Sequence, residues 1–375
     1  MAITRSTSAP RRKDSGGFSL IEVLVSMAIL TVVIGGALAG MSNMMTANEM
    51  VLQTATMNNS LRTGMDLIIR DLLQVGSGLP SGHNITIPNG AGSIRVNIPG
   101  PPGTAFQTTA ADSTIPAVIP RPGAGPVING VPTDVITVLM ADNTFLNVPL
   151  SAVASTTVDL ATVANGGPAN IATGPDRVST GQLMMISKGS LTTLVQVTGV
   201  NTTTRRLTFA NGDSLNLNQS GAASGNLPAL NAAAPVNSAA NTNITRIRMI
   251  TYYVDASTDP RHPRLVRRIN NGNPTTFNNM LGTAVAIDIE NFQLSYDISN
   301  GTNNPGNVKM LAADLTTAGA CSPVACASTQ IRKVNIALSG RNRTLGNNPR
   351  TTPLRNTLQS QVALRGMAFV DRYRG

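Results

Sequence analysis

The peptide bond between Gly17 and Phe18 is the first place where this chain has the residues for chemistry. Gly16-Gly17 stand immediately before Phe18-Ser19-Leu20-Ile21-Glu22, and a basic leader with Arg5, Arg11, Arg12 and Lys13 lies behind them. From Phe18 to Met45, a run of 28 residues, Glu22 is the only charge. An ordinary secretory signal is cut after its apolar stretch, at small residues. Here the glycine pair precedes the stretch, so cleavage at Gly17–Phe18 keeps the apolar segment in the mature protein. The run exceeds the roughly 20 residues a helix needs to cross a bilayer core. The basic leader predicts an N-terminus held in the cytoplasm and the rest exported. Glu22 needs its own explanation, because a carboxylate in hydrocarbon is destabilising. Either it meets a positive group, such as the free N-terminal amine of a neighbouring helix, or it lies near the interface and is solvated.

Other reactive residues are sparse. Cys321 and Cys326 sit in Cys-Ser-Pro-Val-Ala-Cys, on the side of the chain expected to be exported. Disulfides persist there, and zinc would need about four ligands, whereas the only histidines are His83 and His262. A disulfide between Cys321 and Cys326 is therefore expected, with two free thiols as the alternative. Asp288 and Glu290 lie two apart on an expected strand, hence on one face, and read as a solvated face rather than a catalytic pair. Asp213 stands nearly alone and reads as a turn residue. No nucleophile elbow, phosphate loop or dinucleotide fingerprint is present. The expectation is no catalytic residue, no cofactor, no metal and no enzyme.

The net charge of +10 is carried by the two ends. Residues 331–375 hold nine basic residues against Asp371, and the middle of the chain is close to neutral. Such a basic end can contact phosphates, but only Phe369 and Tyr373 offer aromatic stacking there. A solvated or partner-facing surface is expected in preference to a nucleic-acid site.

These residues must be positioned by a helix and a β-rich head. Met50, Met57, Leu61, Met65, Ile68, Leu72 and Val75 recur at helical spacing. Arg62, Asp66 and Arg70 stand four apart on another face and can form a ladder. Gly76-Ser77-Gly78 before Leu79-Pro80 is a stop signal. One helix from about Phe18 to Val75 is predicted, apolar all round at first and one-sided later, with Gly64 as the place where it could break. Beyond it, 23 prolines, 34 glycines and only 3% aromatic residues suit short strands joined by turns. Strands are predicted at Ile85–Ile87, Ile94–Ile98 and Val135–Met140. Two more surround Lys188-Gly189-Ser190, and another covers Arg205–Phe209. A hairpin joins Ile247–Tyr253 to Arg264–Ile269. The alternation through Val285, Ile287 and Ile289 slips at Asn291, which predicts a bulge. Ile331–Leu338 and Gln361–Leu364 complete the set. Residues 211–243, rich in Asn, Ala, Ser and Gly, read as a long exposed loop or flexible insertion, and 91–130 and 161–176 as loop-rich.

The glycine before the cut, Phe18 after it and glutamate as the fifth residue beyond closely resemble the type IV prepilin signature. That resemblance implies a membrane peptidase that cuts after Gly17 and methylates Phe18, and an assembly role for Glu22. More loosely, Ile68-Ile69-Arg70-Asp71-Leu72, Asp134–Val138, the Tyr252–Arg268 hairpin, Glu290–Tyr296, Val334–Leu338 and Gln361–Arg365 resemble the PilW family of minor pilins and the related J-type pseudopilins of type II secretion. The implied fold class is α+β, a long transmembrane and amphipathic helix packed on an antiparallel head. Its expected parts are a leader at 1–17, a transmembrane or filament-core helix at 18–45, an amphipathic continuation at 46–78 and the exported head at 79–375. The expected function is a minor pilin helping to initiate or cap a type IV pilus. A type II secretion pseudopilin, or a membrane-tethered pilin-like protein that binds DNA or a surface, is the alternative. Expected partners are other minor and major pilins, the prepilin peptidase, the inner-membrane assembly platform and membrane lipid. The expected location is the bacterial inner membrane with the head in the periplasm, and the pilus after assembly.

Overall fold

The computed structural model describes residues 17–90, 95–102, 104, 106–270, 282–298, 308–311, 327–342 and 354–367. The chain divides into two units, Met1–Ala55 and Thr56–Gly375. One unbroken α-helix, Leu20–Leu72, belongs to both. In the N-terminal unit all side chains from Leu20 to Met45 are exposed, and an 18-residue window reaches a mean hydropathy of 2.3. Two of the hydroxyls there are satisfied by the helix itself. Ser26 donates to the Val23 carbonyl and Thr31 to those of Met27 and Ala28. Such internal bonding is what a segment without access to water requires.

In the second unit the helix becomes one-sided. Met57, Leu61, Met65, Ile68 and Leu72 are buried, followed by Val75 beyond the helix end. Arg62, Asp66 and Arg70 lie exposed, with no ion pair closed between them among the described residues. Gly64 does not break the helix. A Cβ there would lie 2.9 Å from the Ala286 Cβ and 3.2 Å from Leu265 Cδ2, so the glycine marks a close approach of helix and sheet. The chain leaves the helix through Gly76 and Gly78, both at positive φ (77° and 69°), which side chains disfavour.

The head is built on one long strand, Thr242–Asp255. On one side it pairs first with Leu183–Lys188 and then with Arg264–Ile269. On the other it pairs with Val148–Val153 and then with Val135–Ala141. All these pairings are antiparallel, and they belong to an eleven-stranded sheet. Ile250, Tyr252 and Val254 join the helix stripe in one apolar core, whereas Ile247 and Met249 belong to another. A second sheet runs in the order Val308–Leu311, Ile289–Ile298, Ile331–Arg341, Arg355–Ala363. It supplies Phe292, Tyr296, Ile336 and Leu338 to the helix core. The architecture is α+β, consistent with a pilin-like fold. The predicted slip is present as a register shift between Ile289 and Asn291.

The reading of residues 211–243 as an exposed loop is overturned. Within residues 211–243 the chain holds a short helix, Leu227–Ala232, and buries Leu215, Leu217, Leu227 and Leu230. Asn226 caps that helix by accepting from the Ala229 N–H. Lys188, buried, donates to the Ala233 and Pro235 carbonyls at 2.9 and 2.8 Å, just past the helix end. The asparagines serve as caps and turns, and a few leucines suffice to seat the segment. Residues 91–130 likewise include paired strands, Thr114–Pro116 with Asn84–Thr86 and Val118–Arg121 with Val135–Val138.

Candidate functional site

Gly17 and Phe18 lie exposed just ahead of the helix, which begins at Leu20. Phe18 is 86% exposed, so none of the described residues covers the bond before it. Ser19 and Glu22 form a reciprocal cap. The Ser19 N–H donates to Glu22 Oε2 at 3.0 Å, and the Glu22 N–H donates to Ser19 Oγ at 3.3 Å. Two of the donors that any helix start leaves open are thereby satisfied. Ser19-x-x-Glu22 is the spacing that signals such a cap, and it offers Glu22 a partner besides a neighbour's amine or water. Oε2 takes the Ser19 N–H, and no bond within the chain engages Oε1 among the described residues. Gly36 and Gly40 stand four apart on the exposed stretch with nothing within 4 Å of their Cβ positions. That spacing is a further feature unread in the sequence, and it lets another helix approach closely.

At the other end of the helix, Asp71 lies on the buried stripe at 6% exposure. Its carboxylate accepts from Arg267 Nε at 2.6 Å and from a second guanidinium nitrogen at 3.1 Å, and also from the Tyr252 hydroxyl. The group ties the helix to the two central strands. Burial, and then the Asp71 charge, push the Tyr252 hydroxyl far above its ordinary range. Burial alone would lower the Arg267 guanidinium, but its bonds to Asp71 raise it. The signal was legible, since an acid in phase with Ile68, Leu72 and Val75 demands a buried cation.

Asp288 and Glu290 are not a solvated face. Both are buried, at 7% and 8% exposure. Asp288 has φ 59° at the break between the two strands that flank it, and its Oδ1 lies 2.7 Å from His262 Nδ1. Glu290 accepts from Arg355 Nε at 2.8 and 2.9 Å and from the Asn129 side chain. They make separate structural contacts, a hydrogen bond to His262 and an ion pair with Arg355, because positive φ at Asp288 disrupts the alternation that would put them on one face. Asp213, too, is structural. It accepts from the Leu217 and Asn218 N–H groups, and burial raises its carboxyl despite those bonds. Among the described residues no group of His, Cys, Asp or Glu is placed to hold a metal.

Much of the basic C-terminal charge is used internally. Arg355 pairs with Glu290, Lys333 approaches Asp297 at 3.9 Å, and Arg341 donates to the Arg261 carbonyl. Arg343, Arg350, Arg372 and Arg374 lie outside the described residues, as do Cys321 and Cys326.

A family model for the prokaryotic N-terminal methylation motif matches residues 12–38. No curated protein and no solved structure matches the chain. The matched span covers the glycine pair, Phe18, the Ser19–Glu22 cap and most of the apolar helix half.

Proposed function

We propose that this type IV pilin-like chain is a minor pilin, a structural component that helps to initiate or cap a type IV pilus and does no catalysis. The observation that carries this reading is the single helix Leu20–Leu72. It begins at a methylation motif, stays exposed and apolar for its first half, and buries one face in an antiparallel head. Such a helix can lie in a bilayer before assembly and against other helices afterwards, without refolding the head. Gly36 and Gly40 suit it to close helix contacts. Glu22 Oε1, which no bond among the described residues engages, suits it to a neighbour's methylated Phe18 amine. The loose strand pattern favours the PilW family over other minor pilins. Partners in this reading are other pilins, the prepilin peptidase and the inner-membrane platform, with the head in the periplasm and a Cys321–Cys326 disulfide formed there.

Deleting the gene and counting surface filaments tests the proposal. Filaments should be lost or strongly reduced, restored by the wild-type chain and not by Glu22→Ala. Glu22→Ala should still insert in the membrane, because it makes the helix more apolar. Intact filaments with lost protein secretion would point to a pseudopilin. Intact filaments that no longer bind DNA or a surface would point to a tethered binding protein.

A further inference from the structure

The strand Arg355–Ala363 pairs with Ile331–Arg341, and no described residue pairs with its other side. Its bonding phase is fixed at both ends. The Asn342 N–H donates to the Leu354 carbonyl, and the Leu364 N–H to the Arg332 carbonyl. In an antiparallel pair the bonded residues alternate. The even-numbered residues therefore bond inward, and Arg355, Thr357, Gln359, Gln361 and Ala363 turn their backbone N–H and C=O groups to the outer edge. The Thr357 N–H agrees with this phase: it is held by the Asn356 side chain, which has to turn aside before a second strand can take that donor. All five odd-numbered residues have exposed side chains. Natural edges of this length are blunted by proline, lysine, a bulge or a covering element. The Arg355–Ala363 sequence has no proline and no lysine, its one charged residue, Arg355, is paired with Glu290, and its register with Ile331–Arg341 runs without a shift.

The edge is also self-complementary. Turned about a two-fold axis beside Gln359, perpendicular to the sheet and midway between the strands, a second strand places Gln359 opposite Gln359. Gln361 then stands opposite Thr357, and Arg355 opposite Ala363. No like charges meet, and each Gln359 amide faces another amide that both donates and accepts. The pleats match as well. Even-numbered residues stay on the face where Leu358 packs on the core and Val362 is buried. Odd-numbered residues stay on the polar face, where Gln361 already donates to Asn335.

We infer that the outer edge of Arg355–Ala363 is an interaction surface for a second copy of this chain, the two strands pairing antiparallel about Gln359. The contact is isologous and closes on itself, so it yields a dimer and not a fibre. It stands apart from the filament reading, and either can fail alone.

Full-length protein in its native membrane, carrying Gln359→Cys, is exposed to mild oxidant and the linked peptides are mapped. A dimer linked through position 359 is expected, because residues opposite each other in a bonded pair have Cα atoms about 5.5 Å apart, within disulfide reach. Gln361→Cys should give at least tenfold less dimer, since its two copies stand roughly 13 Å apart along the strands. Adding Gln361→Pro to Gln359→Cys should abolish the link, whereas adding Gln361→Ala, which loses the same side-chain bond to Asn335 but keeps the outward N–H, should retain it. No dimer through position 359 in a folded chain overturns the inference. So does equal linking at 359 and 361, which would be random collision, or linking of position 359 to a different protein.

Discussion

Asp71 shows what a single buried charge does in this protein. Its carboxylate meets Arg267 and Tyr252 where the helix enters the core. Removing one partner of a buried pair leaves the other uncompensated, at a cost of about 3–5 kcal/mol. Asp71→Ala should therefore lower the stability of the head by that amount in denaturant unfolding. Replacing the whole group, as Asp71→Leu with Arg267→Met and Tyr252→Phe, should recover most of the loss. If the triple variant is as unstable as Asp71→Ala, the cost lies in packing and not in the unpaired charge. Glu22 is the contrasting case. It sits at an exposed helix start, and its bonds to Ser19 are local.

At the scale of elements, the helix and the sheets meet through a glycine. Gly64 faces Ala286, Leu265 and Leu338. A valine there must displace them, and overpacking of this kind costs about 1–3 kcal/mol. Gly64→Ala should cost less, because leaving glycine in a helix gains roughly 1 kcal/mol. Chemical denaturation of the two variants checks the order, and Gly64→Val as stable as wild type would mean that the helix does not approach the sheet so closely. The segment 211–243 is the element that composition misrepresented. Its polar residues are seated by a few leucines and by Lys188, which lies on a distant strand.

For the whole molecule, acid is the condition that discriminates. Burial would raise the carboxyl of Asp142, but the Thr144 N–H and Arg248 outweigh it and hold it below the usual range. At Asp255 burial is likewise outweighed, by Ser257 and Arg264. A depressed carboxyl binds fewer protons folded than unfolded. Its stabilisation is present above the ordinary value of about 4 and is lost as pH falls through the lowered one. Burial raises Asp134, which works in the opposite sense. The thermal midpoint should fall below pH about 4, and Asp142→Asn should be less stable at neutral pH with a flatter acid limb. An unchanged acid limb in that variant would remove Asp142 from the account. The mature chain should begin at a methylated Phe18, which mass spectrometry of the N-terminal peptide reads directly. A chain beginning at Met1, or cut beyond Gly40, would contradict the motif.

The sequence by itself determined the parts whose signals are local. The cleavage motif, the exposed apolar helix half and the stop at Gly76-Ser77-Gly78 are written in adjacent residues. The stripe from Met57 to Val75, the hairpin at residues 247–269 and the slip near Asn291 needed only periodicity. Tertiary structure decided what depends on partners far along the chain. Arg267 lies 196 residues from Asp71, and Arg355 lies 65 from Glu290. No spacing rule pairs such residues, because loop length scarcely limits which strands become neighbours. Burial of Asp288 and Glu290 and the seating of residues 211–243 were decided in the same way. So was the edge at Arg355–Ala363, whose outer side no described residue pairs, since a strand's sequence does not state how many neighbours it will have.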